Sequence, residues 1–428
     1  MKSLIRHWAA YDRFIREGVT WKLKIPIRLI LLAPVLLTCV ALLEGCSSSG
    51  PETRGTEQNA KRMHRISVLT YNTLHGLEVG RYSVRPGESE DAHAVRLGLQ
   101  IEQMAAAAPD LMLLQEVNPL PGRARMYVDG LKKSGLEYDE VHQVDACGIR
   151  LIGNVAVVPG LNNGLVVLAK APLRIRKLEG LKLSGGIGAC RDSSGMQFGE
   201  LRYALIAEIE NPATQRKILA VSLHLHSGIE RDEYFVQRIN AAQLEGRIPN
   251  QDEARKILAA LEQDQSRRLD ELRTLVQGLR TLQTEGHYAG VLVGGDFNFE
   301  PDSPEYLALQ NSGLKDTYML ARHTGELQSY DPQHNPIAQH EEVALPPALT
   351  SIVQAMPEEE RQKVVDGYRR GLNMSRRIDF IFAMRSGPAD PNACLRQELF
   401  GMPNPVTLDV GSDHYGVLDT YTTDGSGC

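Results

Sequence analysis

The sequence predicts a layered α/β fold in which helices cover a core of β-strands. Short apolar runs alternate with longer stretches of helical spacing between residues 66 and 382. Two of the runs, Asp-Leu-Met-Leu-Leu and Ala-Gly-Val-Leu-Val, are apolar at nearly every position. Because such strands bury both of their faces, they are expected at the centre of a sheet that is covered on each side.

The individual elements follow from the same patterns. Strands are predicted at residues 66–71, 111–115, 164–169, 201–209, 218–225, 290–294 and 378–382. Helices are predicted at 92–107 and 252–283, which are rich in strong helix formers. Residues 64–428 are expected to form one domain, with polar insertions at about 228–266 and 325–375 that would serve substrate selection.

Composition and charge exclude several classes of protein. With 42% hydrophobic residues, 38 Gly and 22 Pro in 428 residues, the chain is neither disordered nor collagenous. The net charge is −6, and residues 1–46 carry +4, which leaves −10 for the remainder. A domain that binds nucleic acid by neutralising phosphates is usually basic, so this balance disfavours such binding without excluding it.

The N-terminal segment is predicted to be a signal peptide or membrane anchor. Residues 29–43 are uncharged and follow a basic stretch, but they are shorter than the roughly 20 residues that span a bilayer. The following Leu-Glu-Gly-Cys resembles the lipobox of bacterial lipoproteins, which makes Cys46 the candidate for lipid attachment. An uncleaved anchor over residues 1–46 and a buried hydrophobic helix are the alternatives, and residues 47–63 are predicted to be a flexible tether.

Both membrane interpretations place the body outside the cytoplasm, in the cell envelope, because basic flanks stay on the cytoplasmic side. Disulfides are permitted there, and Cys147 with Cys190 is the pairing that we favour. The absence of any C-x-x-C spacing argues against a structural zinc site.

Polar residues that stand at or near predicted strand ends are the candidates for chemistry. Taken singly, an Asp or Asn at such a position is more typical of a turn, and a His is more typical of a buried structural residue. Together, the oxygen donors Asn72, Glu116 and Asp413 would suit one hard divalent cation, Mg²⁺ with Mn²⁺ as an alternative. The remaining candidates are His224, Asp296, Asn298, Asp379 and His414.

Seven segments, in order, resemble the signature blocks of the endonuclease/exonuclease/phosphatase superfamily. They are YNTLHG, LLQEV, NNGLVVLAK, SLHLH, GGDFNFEPDS, RRIDFIF and GSDHYG. The resemblance covers residues 66–422. It implies a four-layer α-β-β-α sandwich with two packed mixed β-sheets, and metal-dependent hydrolysis of phosphoesters.

The resemblance also implies roles for single residues. Glu116 is the principal metal ligand and Asn72 a second, while Asp413 assists near the metal. His414 is the general base or the imidazole that stabilises the phosphorane, with Asp379 accepting its other N–H. Whether the base is His414 or Asp296 stays open.

Charge that builds on the non-bridging oxygens during attack on phosphorus requires cations or hydrogen-bond donors. His224 and Asn298 are predicted to supply donors, and Asp296 to orient the attacking water. Phe297, between them, is expected to point into the core. His226 is expected to be structural, and Arg202 either meets phosphate or is an exposed strand residue.

The sequence predicts the type of reaction more closely than it predicts the substrate. A lipid or small-molecule phosphodiester is the first hypothesis, and an extracytoplasmic nuclease acting on DNA or RNA is the alternative. A non-catalytic scaffold lipoprotein is a third, which the complete set of site residues disfavours. No obligate protein partner is indicated, and motifs of serine hydrolases, zincins and phosphate-loop proteins are missing from the sequence.

Overall fold

The computed structural model describes residues 65–75, 89–152, 156–185, 201–227, 251–321, 323, 327–339, 350, 353–354, 356–385, 394–403 and 409–422. The predicted N-terminal segments, Cys46 and the side chains of Cys147 and Cys190 lie outside this description. No helix among the described residues combines the length and the apolar character that crossing a membrane requires.

Each predicted strand and helix is present, but several strands follow one another without an intervening helix among the described residues. Their order is β1 (Arg65–Asn72), α1 (Glu90–Ala107), β2 (Leu111–Val117), α2 (Gly122–Lys133), β3 (Tyr138–Ile152), β4 (Ala156–Lys170), β5 (Arg174–Lys177), β6 (Leu181–Ser184), β7 (Arg202–Asn211), β8 (Arg216–His224), α3 (Gln251–Gly286), β9 (Gly290–Asp296), α4 (Pro304–Ser312), β10 (Lys315–Asp316), a 3₁₀-helix (Thr317–Met319), α5 (Glu358–Leu372), β11 (Asp379–Arg385), β12 (Cys394–Phe400) and β13 (Gly416–Thr422).

The strands form two mixed sheets. Sheet A has the order β12-β13-β1-β2-β4-β3, and sheet B has the order β10-β11-β9-β8-β7-β5, with β6 also pairing with β7. Each sheet contains one parallel pair, β1 with β2 and β8 with β9, among antiparallel neighbours.

Three apolar clusters fill the spaces between the layers. One lies between the sheets and includes Val68, Leu113 and Leu205. A second joins α1 and α2 to the outer face of sheet A, and a third joins α3 and α4 to the outer face of sheet B. The predicted four-layer α-β-β-α sandwich with two packed mixed sheets is therefore confirmed.

Strand direction brings the predicted site residues to one end of the sandwich. The carboxyl ends of β1 and β2 lie side by side, as do those of β8 and β9. Strands β11 and β13 are antiparallel to β9 and β1, so they begin at the same end, where Asp379 pairs with Asp296. Polar residues that close or open these strands therefore meet.

A buried carboxyl group in β13 adds a pH-dependent contribution to stability. Asp419 is 4% exposed, and Gln397 Nε2 donates to its Oδ1 over 2.7 Å. Burial raises the pKa of Asp419 from 3.8 to about 7, and the nearby Asp316 adds to this effect. Between these two pH values the folded state binds one proton more than the unfolded state. The contribution of the protonated Asp419 to the free energy of unfolding is therefore complete below about pH 4 and is lost as the pH rises through about 7.

We expect Asp419→Asn to remove this pH dependence. From pH 5 to pH 8.5, the free energy of unfolding of wild type should fall by up to about 3 kcal/mol more than that of the variant. Denaturant unfolding of both proteins at the two pH values measures the difference. Asp139→Asn, at an exposed strand position, is the matched control, and an identical pH profile for Asp419→Asn and wild type would refute the prediction.

Candidate active site

Glu116 leaves its strand at a bulge that turns it toward the cleft. The pairing of β2 with β4 shifts register between Leu114 and Val117, and Glu116 has φ +56°. Gln115 is fully buried between the sheets, where its Nε2 donates to Ser222 Oγ over 3.0 Å. A non-glycine residue persists in the left-handed region only where its surroundings fix it, which is typical of functional sites.

Asn72 connects the two halves of the site. Its Nδ2 donates to Glu116 Oε1 over 3.3 Å and to Asp296 Oδ2 over 3.1 Å. Its Oδ1 accepts the N–H of Leu74, which has φ +56°. In this arrangement the amide nitrogen, not the oxygen, faces the carboxylates, so ligation of a metal by Asn72 requires its amide to rotate.

Two histidines flank the Glu116 carboxylate. The backbone N–H of His75 donates to Oε2 over 3.0 Å, and its Nε2 lies 3.6 Å from the same oxygen. His224 Nδ1 lies 4.0 Å from Oε1. Burial alone would raise the pKa of Glu116, but His75 and His224 outweigh it and lower the pKa to about 2. Glu116 is therefore an anion at any working pH.

Asp379 and His414 form a buried pair at the start of β11 and just before β13. His414 Nδ1 lies 2.8 Å from Asp379 Oδ2, and both residues are less than 10% exposed. Nε2 of His414 lies 3.8 Å from Asp296 Oδ2. Asp296, Asp379 and His414 each offer a ligand atom within 4.8 Å of the other two. The carboxylate fixes the imidazole so that Nε2 faces Asp296.

In the Asp296–Asn298 turn, the predicted core position of Phe297 is confirmed, whereas Asn298 is not extended. Asp296 Oδ1 accepts the N–H of Asn298, which has φ +52°. Asn298 Nδ2 donates to the carbonyl of Leu225 over 3.1 Å, and this bond ties the turn to the end of β8. Phe297 points the other way and is fully buried in the cluster beneath α3 and α4.

Negative charge is concentrated at this point of the molecule. Burial, together with the carboxylates of Asp379 and Glu116, raises the pKa of Asp296 to about 7. Burial alone would lower the pKa of His414, but Asp379 and Asp296 raise it well above its usual value. Asp413 also contributes to this rise, which places its charge near the imidazole.

Other sequence expectations have mixed outcomes. Arg202 is 7% exposed and its Nη1 lies 3.6 Å from Asp145 Oδ2, so the expectation of an exposed strand arginine is wrong. Its partner Asp145 lies on β3, far from Arg202 in the sequence, so local sequence did not reveal the ion pair. His226 Nε2 lies 2.7 Å from Asp264 Oδ1 on α3, in agreement with a structural role.

Two residues of α1, absent from the predictions, hold the site loops together. Arg96 Nη1 and Gln100 Nε2 both donate to the carbonyl oxygens of Thr73 and Gly411. These carbonyls lie next to Asn72 and close to Asp413 in the chain. Two buried polar residues one turn apart in a helix were the available signal, but sequence alone does not reveal their burial.

The donor set suits a hard divalent cation. Carboxylate oxygens of Glu116 and Asp296 lie on either side of Asn72 Nδ2, within hydrogen-bonding distance of one amide. Mg²⁺ and Mn²⁺ prefer such oxygens, whereas zinc sites are built from thiolates and imidazoles. A bound cation would also offset the repulsion between neighbouring carboxylates, since each carboxylate raises the free-energy cost of ionising the next.

Several known proteins are similar to this chain. The model of the Endonuclease/Exonuclease/phosphatase family matches residues 69–414. Among curated proteins there is no significant match. Similar solved structures include an endonuclease/exonuclease/phosphatase from Bacteroides vulgatus (17% identity, 83% of this chain and 98% of that chain, TM-score 0.49). Others are humanized D. rerio TDP2 (17%, 84% and 99%, 0.45) and a Bacteroides thetaiotaomicron mannosyl-6-phosphatase (13%, 83% and 99%, 0.45).

Proposed function

Because the chain belongs to the endonuclease/exonuclease/phosphatase family and is a metal-dependent phosphoesterase, we propose that it uses Mg²⁺ to hydrolyse a lipid or small-molecule phosphodiester outside the cytoplasm. The observation that carries the reaction is the convergence of Glu116, Asp296 and the Asp379–His414 pair at one end of the sandwich. Three strands, β2, β9 and β11, and the turn before β13 supply these residues, which lie far apart in the sequence.

Glu116 and Asn72 would hold the cation, with Asp413 beside it. When bound, the cation neutralises charge on the phosphoryl oxygens and so lowers the barrier to attack. The backbone N–H of His75 holds Oε2 of Glu116. Ligation through Asn72 Oδ1 would replace the bond from Asn72 Nδ2 to Asp296.

The chain's own residues provide the proton transfer. His414 Nε2 and Asp296 Oδ2, 3.8 Å apart, can both contact one attacking water. Asp296 or His414 accepts the proton of this water as the P–O bond to the leaving group breaks, and the leaving oxygen takes up a proton from solvent. The Nδ1–H of His414 stays bonded to Asp379 throughout. His224, whose Nε2 lies 3.5 Å from Asp296 Oδ2, donates to a non-bridging oxygen as charge develops there, together with Asn298.

The net charge of the chain favours a lipid or small-molecule phosphodiester over nucleic acid as the substrate. The net charge of −10 over residues 47–428 is unfavourable for tracking along a polyanion, because nucleic-acid affinity rests largely on Lys and Arg displacing counterions. A single phosphodiester in a lipid or small molecule does not require such a surface.

A substrate panel tests the proposal. The full-length chain is incubated with sphingomyelin vesicles, lysophospholipid, inositol phosphates, plasmid DNA and RNA, with Mg²⁺ or with EDTA. We expect turnover of a lipid or small phosphoester that EDTA abolishes and added Mg²⁺ restores. Turnover confined to DNA or RNA would replace this substrate with nucleic acid, and no turnover with Mg²⁺ or Mn²⁺ would refute the enzymatic assignment.

The proposed location rests on the apolar run at residues 29–43 and on Cys46. Lipid attachment at Cys46 would tether the enzyme to the envelope by residues 47–63. Mass spectrometry of the membrane fraction distinguishes a diacylated Cys46 from an intact Met1, and the second result would replace the lipoprotein with an uncleaved anchor.

A further inference from the structure

Residues 327–338, which we call the 327–338 segment, run between the 3₁₀-helix and β11 and lie against the Asp379–His414 pair. Tyr330 forms backbone hydrogen bonds in both directions with Arg376, over 3.0 and 2.7 Å. The carbonyl of Ser329 accepts the N–H of Tyr415 over 2.7 Å. The segment is thus bonded both to the chain entering Asp379 and to the residue that follows His414.

The hydroxyl of Ser329 makes the most direct contact with the catalytic pair. Its Oγ accepts two backbone N–H groups, that of Ile378 over 3.1 Å and that of Asp379 over 2.9 Å. Ser329 is fully buried, so solvent does not compete for these two bonds. The hydroxyl therefore fixes the backbone of Ile378 and of Asp379, the residue that orients His414.

The same segment contacts the other member of the pair. The ring of Tyr330 packs on the imidazole of His414 with centroids 5.3 Å apart. Asn335, also fully buried, donates from Nδ2 to the carbonyl of Ser412 over 2.8 Å. The turn that carries His414 is thus held by Asn335 while the imidazole is covered by Tyr330.

We propose that the 327–338 segment positions the Asp379–His414 pair for hydrolysis, with Ser329 as the principal positioning residue. The inference rests on the proposed function, because it assigns Ser329 to act through His414. The pair is joined by a single 2.8 Å bond, so a shift of the Asp379 backbone changes the direction in which Nε2 points. Displacements of about 1 Å at such groups lower rates by about 10²-fold.

Ser329→Ala tests the inference. We expect kcat to fall about 10- to 100-fold, with KM and the Mg²⁺ dissociation constant within a factor of two of wild type, because the hydroxyl contacts Asp379 and neither Glu116 nor Asn72. Ser67→Ala is the matched control, because Ser67 Oγ, near the start of β1, also accepts a partly buried backbone N–H, that of Asp110. An unchanged kcat in Ser329→Ala would overturn the inference, as would an equal loss in Ser67→Ala.

A spectroscopic measurement separates this inference from the proposed function. The proton on Nδ1 of His414, bonded to Asp379, should give a far-downfield proton NMR signal that His414→Asn lacks. We expect Ser329→Ala to shift or broaden this signal while Mg²⁺ still binds one site per folded chain. The signal is read without substrate, so it tests positioning even where no phosphoester is turned over. A wild-type signal in Ser329→Ala would overturn the inference.

Asn335→Ala provides a second variant should Ser329→Ala not fold. It removes the bond to the Ser412 carbonyl and leaves the backbone contacts of Ser329 in place. The same downfield signal should weaken, and a signal identical to that of wild type would count against the segment as a positioning element.

Discussion

Replacing Glu116 with glutamine is expected to abolish divalent-cation binding and to lower kcat by about 10³-fold. Glutamine keeps the shape of the side chain but removes the charge that the site places between His75 and His224. The pKa of about 2 means that wild-type Glu116 is ionised throughout the working range, so the charge is lost at every pH. A cation that supplies several kcal/mol of transition-state stabilisation corresponds to this loss of rate.

Calorimetric titration with Mg²⁺ and thermal unfolding measure this result. Wild type should gain about 3 kcal/mol in free energy of unfolding at 100 times the Mg²⁺ dissociation constant, and Glu116→Gln should gain none. Without metal the variant should be less stable than wild type at neutral pH, because the lowered pKa of Glu116 means that its ionised carboxylate stabilises the folded state. Glu137→Gln, on the exposed loop before β3, is the control. Wild-type Mg²⁺ affinity in Glu116→Gln would remove Glu116 from the metal site.

The second large effect is expected at His414. His414→Asn should lower kcat by 10²- to 10⁴-fold, the usual contribution of a positioned acid or base, while Mg²⁺ affinity stays within a few-fold of wild type. We expect kcat to fall without a loss of Mg²⁺ affinity because His414 bonds to Asp379, whereas Glu116 is held by Asn72 and His75.

A double variant tests whether Asp379 and His414 act as one unit. Since Asp379 works through the imidazole, Asp379→Asn combined with His414→Asn should be no slower than His414→Asn alone. His142→Asn is a matched control, because His142 Nδ1 also bonds a carboxylate, that of Glu140 over 2.9 Å. Additive losses in the double variant would show that the two residues act independently.

The central strands and the residues that close them were predictable. The apolar runs of β2 and β9 are long enough to identify buried strands, and Glu116 and Asp296 stand where those runs end. Glu116 reaches the cleft because a bulge interrupts β2 there, and Asp296 is the last residue of β9.

The strands β12 and β13 were not predicted, and their polar residues explain why. Gln397 and Asp419 interrupt the apolar pattern of these strands, although both are buried and bonded to each other. A buried polar pair resembles a surface position in sequence, since its partner lies on another strand. The helix α2 was missed for a related reason, because Gly122 and Gly130 weaken its helical pattern.

Contacts made by backbone groups were beyond sequence reasoning altogether. Ser329 reaches the N–H of Asp379 across 50 positions, and Gln100 reaches the carbonyl of Gly411 across 311. Neither the identity of serine nor that of glutamine indicates which distant backbone group it bonds.

The sequence alone determined which residue types stand at the strand ends, and so the layered fold, the family resemblance and the candidates for a metal and a proton carrier. Their distances were decided only by the tertiary structure. It set the His414–Asp379 bond, the direction of the Asn72 amide and the place of the 327–338 segment. The physical reason is that spacing along a chain specifies local conformation, whereas catalytic geometry depends on sheet register and on long-range hydrogen bonds.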